Sequence, residues 1–174
     1  KYLAMLLLVG AMAGITAFSV GQRGGTVVSR LEQFIDGNEI SYQTQQANIA
    51  VATGGIFGKG PGKSDQRNFL PHPYSDFIYA IIIEEYGFVG GIIVIFLYLG
   101  LLYRGMKATA HSETAYGGLL VSGLVFSIIF QAMINIGVTL GLGPITGVTL
   151  PLLSMGGTSQ LFFGIAIGMI LSVT

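Results

Sequence analysis

The chain has 174 residues, 52% of them hydrophobic and only 9% charged, where soluble domains carry roughly 25% charged residues. So few charges cannot cover a solvated surface, which makes an integral membrane protein the leading class. Eight Lys+Arg balance eight Asp+Glu, and there is no Cys, so a basic field for nucleic acid, disulfides, thiolate metal sites and Cys nucleophiles are all excluded.

Four stretches have the ~20-residue length of a spanning helix or come near it. The first is 2–20, opening directly inside an apolar run after Lys1. It is longer than the ~7–15 apolar residues of a signal peptide core, so the chain reads as a piece of a larger membrane protein. A long loop, 21–75, follows. The second span is 77–103, the third 116–138 and the last 159–173, with loops at 104–115 and 139–158. Loop 104–115 is short and carries Arg104 and Lys107, which assigns it to the cytoplasm and places 21–75 and 139–158 outside. Loop 21–75 has five basic residues, but Glu32, Asp36, Glu39 and Asp65 offset them. At its length loop charge also stops deciding topology. The expected fold is therefore all-α.

Within the long loop, Thr26–Ile35 and Thr44–Thr53 read as short helices. Gly54 and Gly55 stand at the C-terminal glycine position of the second. Gly58, Gly60, Pro61 and Gly62 then impose irregular backbone. Ser75 is the expected N-cap of the second span, with Asp76 in its first turn. The loop before the last span holds Gly141, Gly143, Pro144, Gly147, Pro151, Gly156 and Gly157 among apolar residues. It reads as a segment on or in the membrane whose backbone protein or a wet cavity must satisfy.

Gly62-Lys63-Ser64 imitates a nucleotide phosphate loop, but position 57 is Phe and no apolar strand precedes it, so that motif is a decoy. A weaker reading survives, in which free backbone N–H groups and Lys59, Lys63 and Arg67 receive phosphate oxygens. The alternative is a flexible loop with solvated charges. On a continuous helix Glu84 would lie about 12 Å deeper than Asp76 and roughly 80° round, with Glu85 near the opposite face. That spacing is not a glycosidase carboxylate pair. Intramembrane acids mark function by default, yet Asp76 also suits a helix N-terminus, and Glu84 and Glu85 suit pairing with other helices. Gln131 and Asn135 share a face and read as interhelical hydrogen-bonding groups. His72 and His111 are isolated, so a zinc site is not expected.

Several runs together resemble one family. They are Tyr42-Gln43-Thr44-Gln45-Gln46, Gly54 to Gly62, Gln66 to Pro71, Ser75 to Ala80, Glu84 to Gly90, Gln131-Ala132 with Asn135-Ile136-Gly137, and Thr149 to Ser159. In this order and sidedness they resemble the SEDS family (shape, elongation, division and sporulation), closest to its division member. Arg67 stands where many members have Lys, and Met155 where many have Tyr.

The resemblance implies a bundle of about ten transmembrane helices, of which this chain would be four with the main outer loop; by itself it would lack part of the site. It implies a bacterial inner-membrane, multi-pass peptidoglycan glycosyltransferase of cell division, polymerising lipid II at the extracytoplasmic face by inverting transfer. Its partners would be a class B penicillin-binding transpeptidase and other divisome proteins. Asp76 matches the family's essential Asp and would be the general base. Lys59, Lys63 and Arg67, with Gln43 and Gln46, would bind substrate. The diphosphate would be held directly or through a divalent cation, magnesium or manganese. Glu84, Glu85, Gln131 and Asn135 would be intramembrane polar groups. Two rival readings are a lipid II flippase using Glu84, Gln131 and Asn135, and a non-catalytic divisome scaffold.

Overall fold

A computed structural model describes residues 42–70 and 73–173. The expected span 2–20 and helix Thr26–Ile35, with His72, lie outside the described residues. Every regular element among those described is helical: α1 (Tyr42–Gly54), a 3-10 turn (Gln66–Asn68), α2 (Ile78–His111), α3 (Ala115–Thr139) and α4 (Gly157–Val173). Two of them, α2 and α3, are long and apolar enough to cross a membrane, and α4 is a shorter apolar helix.

Helix α1 stops where Gly55 takes a left-handed φ of 58°, the glycine termination that the sequence suggests. Its small Ala47 and Ala50 are buried against Leu70, Phe77 and Ala80, so α1 lies close on the start of α2. Ser75 does not cap α2. The helix begins at Ile78 with Phe77 in the cap position and no side-chain cap bond. The Ser75 hydroxyl donates instead to Asp76 Oδ1 at 3.0 Å, so Asp76 stands just before the helix rather than in its first turn.

Helix α2 also ends later than expected. It continues through Arg104 and Lys107 to His111, absorbing most of the loop predicted at 104–115. Met106, Lys107, Ala108 and Ala110 are good helix formers, and cations near a helix C-terminus complement its dipole. The remaining connection is Ser112–Thr114, where Thr114 caps α3 by accepting from Gly117 N at 3.1 Å. Helices α2 and α3 then pack as a hairpin through Val94, Tyr98 and Ala108 against Val121, Val125 and Ile128, and α4 adds Ala166 and Ile170.

The irregular feature that matters most is a break in α2. Gly87 has φ 73° and ψ −173°, outside helical values, which leaves peptide groups without helical partners. Loop 55–60 supplies them. Lys59 N and Gly60 N donate to the carbonyls of Glu84 and Glu85, each at 2.9 Å, while Phe88 N and Val89 N donate to Gly55 O and Ile56 O at 2.9 and 3.3 Å. The two backbones approach so closely that a Cβ on Gly58 would overlap the Glu85 carbonyl, and one on Gly87 the Ile56 carbonyl. Only glycine fits both positions.

The connection 140–156 turns back into the helices. Leu150 is 1% exposed, and Pro151 is also buried. The Tyr98 hydroxyl donates to Pro151 O, and Tyr98 lies about 16 Å of helix rise beyond Gly87. This is irregular backbone satisfied by protein, the condition for placing it within a bilayer.

Gly87→Ala should therefore lower stability by at least about 2 kcal/mol, from left-handed strain and backbone overlap. Gly123→Ala, at a helical position with open space around it, should be neutral or gain up to about 1 kcal/mol. Thermal unfolding of the detergent-solubilised protein measures both.

Candidate functional site

The loop that joins α1 to α2 folds around one carboxylate. Glu84 has no exposed surface, and it accepts four hydrogen bonds from that loop. Lys59 Nζ donates to Oε1 at 2.7 Å and Asp65 N at 3.2 Å, while Ser64 Oγ donates to Oε2 at 2.5 Å and Gln66 N at 3.3 Å. Glu84 was expected to pair with other helices. Its partners among the described residues all come from the preceding loop, because the break at Gly87 opens α2 to that loop.

Several backbone donors on which the phosphate reading relied are engaged within the protein. The N–H groups of Gly58, Lys59, Gly60 and Lys63 already donate to backbone carbonyls. Those of Asp65 and Gln66 donate to Glu84, and that of Arg67 donates to Ser64 Oγ at 3.2 Å. The loop is shaped rather than slack, with left-handed Gly55, Gly58, Gly60 and Gly62. The anion it enfolds is a carboxylate of the protein itself.

The three candidate cations consequently differ. Lys59 pairs with Glu84 at 2.7 Å and Asp65 at 2.9 Å. The hydrogen bond to Glu84, then that to Asp65, holds its ammonium above the usual lysine range. Lys63 is exposed and Arg67 half-buried, and neither forms an ion pair among the described residues. Gln43 and Gln46 are half-buried along α1. Glu85 is half-buried beside the break, where its backbone carbonyl accepts from Gly60.

Asp76 sits at the entrance to α2, half-buried, and the backbone of residues 74–76 is held from two directions. Asn135 of α3 donates through Nδ2 to Asp76 O at 2.9 Å and to Val148 O at 2.6 Å. Ser154 Oγ donates to Ser75 O at 2.5 Å and accepts from Leu150 N at 2.7 Å. Met155 N adds a bond to Tyr74 O at 2.8 Å. A Cβ on Gly147 would lie 3.8 Å from Asp76 Oδ2, so the re-entrant loop forms one wall beside the carboxylate. Gln131, one turn from Asn135, donates to Thr149 O at 3.1 Å. Among the described residues the shared face of Gln131 and Asn135 thus binds loop backbone rather than side chains of another helix.

Tyr98 was not singled out from sequence, and Ser64 and Ser154 stood there only inside longer motifs, with no role of their own. Their one signal was a hydroxyl in glycine-rich or apolar surroundings, which does not say which carbonyl or carboxylate it will meet.

Comparison with known proteins places this architecture. Residues 1–174 match the cell cycle protein family of FtsW, RodA and SpoVE. The chain belongs to that family. It is 42% identical to stage V sporulation protein E of Bacillus subtilis over 85% of this chain and 41% of that protein. It is 41% identical to a probable peptidoglycan glycosyltransferase FtsW of Mycobacterium tuberculosis, over 91% of this chain and 30% of the relative. The peptidoglycan glycosyltransferase RodA of Treponema pallidum is 39% identical over 80% of this chain and 33% of its own length. The chain thus spans well under half the length of these relatives. A solved structure described as a peptidoglycan synthase complex coordinating polymerization and crosslinking superposes with a TM-score of 0.65 at 26% identity, covering 97% of this chain and 47% of that one. Family membership together with two spanning-length helices makes this a membrane protein of the SEDS family.

Asn135→Leu removes the donor to two carbonyls at once, and each buried carbonyl left unpaired costs about 1–3 kcal/mol. Denaturation of the solubilised protein should show a larger loss for Asn135→Leu than for Gln131→Leu, which frees one carbonyl.

Proposed function

We propose that this chain is part of a peptidoglycan glycosyltransferase that polymerises lipid II, with Asp76 as the general base. The observation that carries the reading is the fixed presentation of Asp76. Its own carbonyl is tied to α3 and that of Ser75 to the re-entrant loop, while its carboxylate has Ser75 Oγ as its hydrogen-bond donor among the described residues. A base must be positioned before its proton affinity matters. The relatives named peptidoglycan glycosyltransferases support the same reaction class.

The chemistry asks little more of the protein. The donor sugar carries a lipid diphosphate, already a good leaving group, so no strong general acid is required. The acceptor hydroxyl gives its proton to Asp76 as its oxygen attacks the anomeric carbon from the face opposite the diphosphate, which inverts that centre. Cations near the departing diphosphate stabilise the developing charge. Lys63 and Arg67 suit that role. Gln43 and Gln46 on α1 are proposed to contact the substrate. Among the described residues no three His, Asp or Glu side chains converge on a metal site. A magnesium or manganese ion would need only one or two protein carboxylates beside the substrate diphosphate, and no step proposed here passes through one.

The proposed setting is the bacterial inner membrane, with Ser112–Thr114 on the cytoplasmic side and Asp76 on the extracytoplasmic side. The remaining helices of a bundle of about ten would complete the site. A class B penicillin-binding transpeptidase and divisome proteins are the proposed partners, and division rather than elongation the proposed process. A flippase would need its intramembrane polar groups to change partners. Glu84, Gln131 and Asn135 are instead bonded to fixed loop backbone, which favours chemistry at a static site.

Asp76→Asn in the complete protein should keep transpeptidase binding and lose lipid II polymerisation by about 10²–10⁴-fold. Wild-type glycan synthesis by this variant would end the general-base assignment. Glu85→Gln should retain far more activity. For topology, the chain has no Cys of its own, so Lys63→Cys and Glu113→Cys are clean probes. An impermeant thiol reagent on intact spheroplasts should label the first and reach the second only after lysis.

A further inference from the structure

We propose that Glu84 is the positioning residue of the cationic loop, and that Lys59 is its counter-ion rather than a ligand of the substrate diphosphate. The proposal rests on the glycosyl-transfer reading above and assigns work within that site. Lys59 is bonded to Glu84 at both ends: its backbone N donates to Glu84 O at 2.9 Å, and its ammonium to Glu84 Oε1 at 2.7 Å. A second ammonium proton goes to Asp65 Oδ2 at 2.9 Å. A fully buried carboxylate without a counter-charge is strongly unfavourable, so moving Lys59 onto a substrate would strand Glu84.

Glu84 in turn reaches Arg67 through one intermediary. Ser64 Oγ donates to Glu84 Oε2 and accepts from Arg67 N. The carboxylate therefore aims the hydroxyl proton and leaves its lone pair for the Arg67 amide. Gln66 N, at the start of the 3-10 turn that carries Arg67, donates to the same Oε2. Past that turn, Leu70 is buried against Phe77, one residue beyond Asp76. One carboxylate thus sets the turn from which Arg67 projects and the chain segment that leads to the proposed base. Lys63 and Arg67, free of ion pairs among the described residues, are the cations left for an anionic ligand.

The test is a double-mutant cycle in the complete, membrane-reconstituted protein with its transpeptidase partner, using Glu84→Gln, Lys59→Met and the two together. KM for lipid II and kcat are measured separately, and the rate of tryptic cleavage after Lys63 and Arg67 is followed without substrate. Each single variant should raise KM by about tenfold or more, with a smaller fall in kcat, and should speed cleavage. The double variant, with no unpaired buried charge, should lie closer to wild type than Lys59→Met in both measurements and no further from it than Glu84→Gln, whose Lys59 keeps Asp65 as a partner. A double variant whose KM rise equals the product of the two singles would show Lys59 acting on the substrate independently of Glu84, and would overturn the counter-ion assignment. Single variants with wild-type KM and cleavage would overturn the positioning role. If Glu84→Gln fails to accumulate, comparison of Lys59→Met with the double variant still decides, because recovery on adding the second substitution is the expected result. If the wild-type protein does not turn over lipid II, the glycosyl-transfer reading alone falls, and the cleavage series decides whether the Glu84–Lys59 pair holds the loop.

Discussion

One interrupted helix organises the described part of this protein. If α2 ran unbroken past Glu84, its backbone would satisfy itself and loop 55–70 would have nothing to bond. Left-handed Gly87 exposes carbonyls on one side of the break and N–H groups on the other, and loop 55–60 meets both sets. In an apolar setting an unmatched peptide group costs several kcal/mol, so break and loop are stable only together. Gly58 and Gly87 allow the contact because neither backbone carries a Cβ into the other.

The same exchange recurs at the other irregular segment. Loop 140–156 enters the helices without regular structure, and side chains take over the role of a backbone ladder. Asn135 and Gln131 donate to Val148 and Thr149, Tyr98 to Pro151, and Gln160 to Ser154 O at 3.0 Å. Asp76 lies where the two systems meet, after the loop anchored at Glu84 and against the loop anchored at Asn135 and Ser154. Its carboxylate is placed by two loops that are each locked to helices, which suits chemistry that depends on positioning.

The arrangement also explains a division of labour among the charges. Glu84 and Lys59 are spent on architecture: the carboxylate gathers backbone and hydroxyl donors and the ammonium neutralises it. Lys63 and Arg67, a few residues along the same loop, keep their charge unpaired among the described residues. A buried carboxylate held by a counter-ion and several hydrogen bonds is a costly way to gain stability but an effective way to select one conformation. Here that conformation carries the cations proposed to face the substrate.

Composition alone established the membrane class, because so few charges cannot solvate a surface, and apolar run length marked α2, α3 and the shorter α4. Glycine placement marked the end of α1 and the shaped loop after it, since left-handed backbone is a local property. Motif order over most of the chain identified the family and singled out Asp76. What sequence could not supply was pairing across distance. Ser75 looked like a cap and bonds its neighbour instead; Glu84 looked like an interhelical acid and is enfolded by a loop some twenty residues upstream. The end of α2 was misplaced because charged residues mark a membrane edge, while a helix stops only where backbone conformation changes, here at Ser112 with ψ 128°. Local chemistry can be read along the chain, but which acceptor a donor finds depends on the folded path, and only the tertiary structure brings Lys59 to Glu84 and Asn135 to Asp76.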